Sequence, residues 1–186
     1  MHNLPFIEIP ESQHYWQIIK YVMNQIFDND IARLTYFKLT HDNFTNMLMS
    51  AKAFSSATKN ILSLLEEMIG NPISLYYANN RCFAYTGKQT ADLVFNSTLQ
   101  NYRPDIITRF RYLIQKQDEH NQYIVKVDII DKNCVYLVID ETSNRLEPLD
   151  YMALENAIIT LQYGFTGEYA RNEMEKKYQK DIGYWY

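Results

Sequence analysis

Apolar residues keep helical spacing up to Ile69, Gly70-Asn71-Pro72 breaks it, and strand-like alternation begins directly afterwards. Glycine and proline just past the run Ile61, Leu64, Leu65 and Met68 are helix stop signals. The reverse change occurs near Pro148, where helical spacing returns. A chain that reads helix, then sheet, then helix is expected to fold as α+β.

The blocks resolve further. Tyr15, Ile18, Ile19, Val22 and Ile26 predict a first helix, and Leu34, Phe37, His41, Phe44 and Leu48 resume the stripe after Asp28-Asn29-Asp30. One long bent helix and two joined ones fit this equally. A third helix is predicted from a Ser55-Ser56 cap to Gly70. "PISLYYA" and "CFAYT" then read as strands joined by a tight "NNR" turn, since asparagine tolerates positive φ. "RFRYLIQKQ", "QYIVKVDII" and "CVYLVID" are three more strands, separated by "DEHN" and "DKN" turns. The last is apolar on both faces, as a central covered strand should be. Residues 88–107 lack a clean period and are expected to cross over the sheet, with a short helix near 90–98.

The final helix begins near Pro148 or Asp150 with the stripe Leu154, Ile158, Leu161, Phe165 and Tyr169. Beyond it, "EYARNEMEKKYQK" is held by charge pairs such as Glu173 with Lys177. The expectation is one domain: a helical segment over 1–70, an antiparallel sheet of about five strands over 71–147, and a long C-terminal helix over 148–186.

Composition narrows the function. A formal charge of −4 argues against a surface that grips nucleic acid, because such domains are usually basic. No apolar run approaches the roughly 18–20 residues of a membrane span. "MHNLPFIEIPESQ" lacks the parts of a signal peptide. Cys82 and Cys134 have no CxxC spacing. A reduced, cytoplasmic protein is the expected setting, with no membrane contact. The sixteen tyrosines have two readings, codon usage in an AT-rich genome or a tyrosine-lined pocket or interface.

Catalytic signatures are missing: no GxSxG, GxxxxGK[ST], HExxH or GxGxxG occurs. The chain is therefore read as a non-enzyme with no cofactor and no metal site. The histidines are dispersed, and His41, on the apolar stripe of its helix, reads as a core histidine. Glu66-Glu67 reads as a solvated helix face, since adjacent helical residues do not share one cleft. Both cysteines read as small apolar residues of strands. Gly164 and Gly167 interrupt a helix at a cost of about 1 kcal/mol each against alanine. Close packing of a partner helix there, beside Leu161 and Phe165, or a simple kink, would explain them. In "RPDIITRFRYLIQK", alternation sets Arg109 and Arg111 on one face, against Phe110 and Tyr112 on the other. The arginines then either clamp an anionic ligand or lie on ordinary surface.

Four stretches, in order, resemble the central GAF-like domain of PucR/CdaR-type bacterial transcription regulators. They are "LPFIEIP" with "YWQIIKYVMNQI", then residues 37–87 from "FKLTHDNF" to "NNRCFAYTG", then "VYLVIDETSNRLEPLDYMALENAI", and finally "ARNEMEKKYQKD". Together they span about two-thirds of the chain. Two departures stand out: Asn133-Cys134-Val135 replaces the family's glycine before the last strand, and Tyr77-Ala78-Asn79-Asn80 stands where an aspartate is frequent. The "DKN" turn is expected to replace that glycine through its asparagine.

The resemblance implies a GAF-like sensory domain, homodimeric through its terminal helices, that binds a small-molecule effector. It also implies that the last helix leads to a helix-turn-helix DNA-binding domain absent from these 186 residues. The chain is then either an excised sensor domain or a free-standing homologue. The alternative is a ligand-free dimerisation spacer, and an enzyme on the same scaffold is the third reading. Strand placement and the crossover nominate Tyr76, Tyr85, Phe95, Tyr102, Arg109, Tyr112 and Tyr136 as ligand-binding. Gly164, Gly167, Leu161 and Phe165 are nominated for dimer or helix packing.

Overall fold

The computed structural model describes residues 15–26, 29–88, 91–96, 100–102 and 110–183. Three helices come first: α1 (Tyr15–Ile26), α2 (Asn29–Ser50) and α3 (Phe54–Ile69). The strands follow as β1 (Ile73–Tyr77), β2 (Cys82–Tyr85), β3 (Gln100–Tyr102), β4 (Tyr112–Gln117), β5 (His120–Asp128) and β6 (Cys134–Glu141). A long helix, α4 (Pro148–Gly183), closes the chain. The strands form one sheet in the order β2-β1-β6-β5-β4-β3, antiparallel throughout. β6, expected to be central, is inside the sheet between β1 and β5. The sheet has six strands instead of about five, because the crossover contributes β3, whose three residues pair with Leu113 and its neighbours. Residues 91–96 are not helical, so the short helix expected there is absent.

The helices cover one face of the sheet. Leu75, Tyr112, Tyr123, Val125, Val127, Val135, Leu137 and Ile139 point toward them and meet Ile61, Leu65, Met68, Leu154, Ile158 and Leu161 in one core. Burial of this apolar area is the main force holding the layers together. α3 ends as its sequence predicts: Gly70 adopts φ +70° and its N–H bonds to Glu66 O at 2.7 Å. Its start differs, since the N-cap is Ala53, without a side-chain bond, and Ser55 and Ser56 lie exposed in the first turn.

α2 corrects the predicted stripe. Its buried side chains are Ala32, Tyr36, Thr40 and Phe44, whereas Leu34 is 71 % exposed and His41, also exposed, stacks on Phe37. His41 is therefore not a core residue. The inward face was chosen by fit against α4. Asn156 of α4 donates from Nδ2 to Phe37 O (2.8 Å) and to Thr40 Oγ1 (2.7 Å), and alanine at 32 leaves room for a close approach. Apolar residues on both sides of α2 left the choice to tertiary packing.

α4 has two parts. From Leu149 to Ile158 every side chain is buried, because helices and sheet enclose it, while residues 171–180 are exposed on all sides. The β5–β6 turn is fastened where α4 leaves the body. Gln162 Nε2 donates to Asp128 O (2.8 Å) and Tyr169 Oη to Asp131 Oδ2 (3.3 Å). In that turn the positive φ values fall on Asp131 and Lys132, and Asn133 stays at −72°. The expected role of the asparagine is thus taken by its two predecessors. The β1–β2 turn matches expectation, with Asn80 at φ +68°.

Candidate functional site

The opposite face of the sheet carries a different set of side chains. Alternation and register bring Tyr76 of β1, Leu113 and Gln115 of β4, Gln122 and Ile124 of β5, and Tyr136, Val138 and Asp140 of β6 to this side. Residues 91–96 of the crossover lie over it. Leu93 is buried against Tyr76, Ile124 and Val138, and its N–H bonds to Asn80 O at 2.9 Å. Phe95 sets its ring edge-on to Tyr136, centroids 5.4 Å apart.

A directed chain of hydrogen bonds pins the crossover and runs along the floor. Asn96 N–H donates to Gln115 Oε1 (3.0 Å). Gln115 Nε2 donates to Val94 O (2.9 Å) and to Gln122 Oε1 (2.6 Å). Gln122 Nε2 donates to Asp140 Oδ1 (2.8 Å), and His120 Nε2 lies 3.5 Å from that same oxygen. Gln115 is 1 % and Gln122 7 % exposed. Buried amides satisfied in this way orient what they touch, because breaking one link strands the next.

Beside this chain opens a cleft of about 580 Å³, between Leu93 and Val94 above and Tyr76, Gln122 and Asp140 below, with Pro72, His120 and Thr142 at its end. The size and the mixture of apolar wall and few polar groups suit a small molecule. A larger hollow of about 760 Å³ lies on the helix side, among Phe54, Tyr77, Phe83, Phe165 and Tyr169. Among the described residues no side-chain to side-chain hydrogen bond joins its lining. We therefore place the candidate site on the crossover side.

The nominated residues divide. Tyr76 lines the cleft. Phe95 and Tyr136 lie on the same face, against each other and away from the cleft lining. Tyr85 points to that side beside Ser74 but is 44 % exposed. Tyr102 lies in β3, opposite Tyr112. Arg109 lies outside the described residues. Tyr112 belongs to the other face: it is fully buried, with its ring against Tyr151 of α4 at 5.5 Å. The alternation that sets Arg111 outward turns Tyr112 toward the helices, away from the cleft. Burial, reinforced by Glu155, pushes its phenol well above the ordinary range.

The packing residues also divide. A Cβ on Gly164 would overlap the ring of Phe54, so this glycine admits α3 of the same chain. Leu161 is buried in the core and Phe165 meets Phe54 edge-on at 4.7 Å. Gly167 has open space around it.

Gln115, Gln122, His120 and Asp140 were not anticipated. The signal was present in "QKQDEHNQ". A two-residue turn at Asp118-Glu119 sets Gln115 opposite Gln122 and Gln117 opposite His120, whereas a four-residue "DEHN" turn would misalign them. Among the described residues, no group of three or more His, Cys, Asp or Glu side chains could hold a metal ion, and no helix is long and apolar enough to cross a membrane.

No family model matches the chain and no curated protein matches it. Among solved structures the chain is similar to the GAF domain of a candidate sensor histidine kinase from Pseudomonas syringae pv. tomato. The TM-score is 0.55 at 14 % identity, over 84 % of this chain and 98 % of that one. With its six-stranded antiparallel sheet, N-terminal helices and long C-terminal helix, the chain has a GAF-like α+β fold.

Proposed function

We propose that this chain is the ligand-sensing and dimerisation domain of a cytoplasmic transcriptional regulator of PucR/CdaR type. Occupancy of the crossover cleft is relayed through α4 to a DNA-binding domain outside these 186 residues. The observation that carries the reading is the cleft, a small-molecule-sized space with a hydrogen-bonded polar floor, on the face that the helices leave uncovered. The GAF domain of a candidate sensor histidine kinase, similar in fold, supports a sensory role. The order of sequence motifs supports the regulator type. The cleft binds and does not catalyse.

Two features support the relay. The β5–β6 hairpin carries Gln122 and Asp140 at the cleft end and touches α4 through Asp128 and Asp131 at the other. α4 then continues past the body with Tyr163, Met174 and Tyr178 exposed, apolar surface that a second copy would cover. A ligand shifts such a system only by the difference between its affinities for the two helix arrangements.

Thermal unfolding against purine-degradation intermediates, sugar acids, amino acids, amines and nucleotides tests the reading. A ligand at about 100 times its dissociation constant adds ~2.7 kcal/mol. In a domain of this size that is about 5–10 °C in midpoint. A flat panel from a protein that still dimerises favours the ligand-free spacer instead.

A further inference from the structure

We propose that the crossover cleft takes a cationic amine, its ammonium group on Asp140 and its apolar body on Tyr76, Leu93 and Val94. The inference rests on the cleft being the ligand site and adds the charge of the ligand.

The direction of the hydrogen bonds decides it. Both N–H groups of Gln115 are used, one on Val94 O and one on Gln122 Oε1. Gln122 passes one of its two N–H groups on to Asp140. The chain therefore runs from donor to acceptor and terminates in a carboxylate. Oδ1 of Asp140 receives Gln122 and faces His120, whereas Oδ2 has no partner among the described residues. The polar floor thus ends, at the cleft, in a carboxylate oxygen without a partner among the described residues, and that charge sets the sign of the ligand group placed there. The side chain of Asp140 is only 13 % exposed, so water satisfies it incompletely. A charge-assisted N–H bond is roughly twice as strong as a neutral one in such a place.

The other charged groups do not reverse this sign. Lys88 and Asp92 line the cleft with opposite charge, and both are exposed at its mouth. The wall between is apolar: Leu93 and Tyr76 are buried under the crossover, and Val94, 70 % exposed, presents a surface for a hydrocarbon body to cover.

Three probes of one shape separate the possibilities: phenethylamine, phenylethanol and hydrocinnamate, each at millimolar concentration, with two-dimensional NMR of the isotope-labelled chain. We expect phenethylamine to shift the resonances of His120, Gln122 and Asp140 and to bind at least about tenfold more tightly than the alcohol. Asp140→Asn keeps Oδ1 as the acceptor of Gln122 and turns the free corner into a donor. That variant, with its unfolding midpoint checked, is expected to lose the amine preference and gain affinity for hydrocinnamate. Hydrocinnamate binding the unsubstituted cleft as tightly as the amine would overturn the ammonium assignment and leave the ligand site standing. No shift at the cleft from any of the three, together with a flat thermal panel, would overturn both.

Discussion

Lys20 Nζ lies 2.7 Å from Asp150 Oδ1, and the two side chains are 8 % and 1 % exposed. The other oxygen of Asp150 accepts the N–H of Glu147 at 2.9 Å, so one carboxylate both pairs with α1 and caps α4. Burial raises the Asp150 carboxyl above its ordinary value, and Lys20 opposes that rise. A carboxyl with a raised folded pKa contributes its stability below the unfolded value near 3.8 and loses it as pH climbs through the folded one. Lys20→Met removes the opposing charge and raises the folded value further. The variant should lose about 3–5 kcal/mol at neutral pH and clearly less near pH 4, measured by urea unfolding at both.

Gly164 and Gly167 give a paired prediction. At Gly164 an added Cβ meets Phe54, and overpacking of this kind costs about 1–3 kcal/mol. At Gly167 nothing stands within 4 Å, and replacing a helical glycine by alanine gains about 0.5–1 kcal/mol. Gly164→Ala should therefore destabilise and Gly167→Ala stabilise. The loss at 164 should shrink in a Phe54→Ala background, which a double-mutant cycle reads directly.

The phenol oxygens of Tyr36 and Tyr112 are buried and find no partner among the described residues. Tyr36→Phe and Tyr112→Phe remove an unsatisfied group and should each stabilise, by about 1 kcal/mol. Burial, with the Asp150 charge adding to it, holds the Tyr36 phenol far above its ordinary 10.0. The unfolded chain therefore ionises first as pH passes that value, and folding loses stability above it. Tyr36→Phe should lessen this alkaline loss, seen as a flatter unfolding midpoint from pH 9 to 11.

The helix starts, stops and strands that follow from spacing and from Gly70, Pro72 and Pro148 were legible in the sequence. They are local events with local causes. α2 was not, because Leu34 and Phe37 are as apolar as Tyr36 and Phe44, and only the fit to Asn156 settles which side turns inward. Of the site, one lining residue was legible. Tyr76 follows from strand alternation, but Gln115, Gln122 and Asp140 meet only across three strands, through pairings that a two-residue shift in one turn would abolish. Tyr112 shows the same limit in reverse, since alternation separates it from Arg111 without saying which side holds the cleft.

Asn156 bridges α4 to two acceptors of α2, Thr40 Oγ1 in a buried bond and Phe37 O in a partly buried one. Asn156→Leu removes both of these hydrogen bonds, although Phe37 O still accepts from Thr40 Oγ1 at 3.1 Å, and should cost about 1–3 kcal/mol. Thr40→Val keeps the bond to Phe37 O and should cost less. Equilibrium unfolding of the two variants side by side tests the order.

Removal of residues 171–186 should leave the stability of the body within about 0.5 kcal/mol, because the side chains of 171–180 are exposed. If α4 forms the dimer seam, the same truncation lowers self-association in sedimentation equilibrium. An unchanged dimer would move the seam to α1 and α2, where Tyr21, Ile31 and Leu34 are exposed.

The β5–β6 hairpin pairs without interruption from Asn121 opposite Glu141 to Asp128 opposite Cys134. It is loaded at both ends, by the polar floor at one and by the two contacts to α4 at the other. Such a hairpin is a beam. It resists stretching through its ladder, and any change of twist it takes up is shared with β1 and β4, its neighbours in the sheet. A ligand that alters how Gln122 and Asp140 face each other would then be felt at Gln162 and Tyr169 as torque. The exposed end of α4 would turn about its own axis and present a different stripe to whatever lies alongside it.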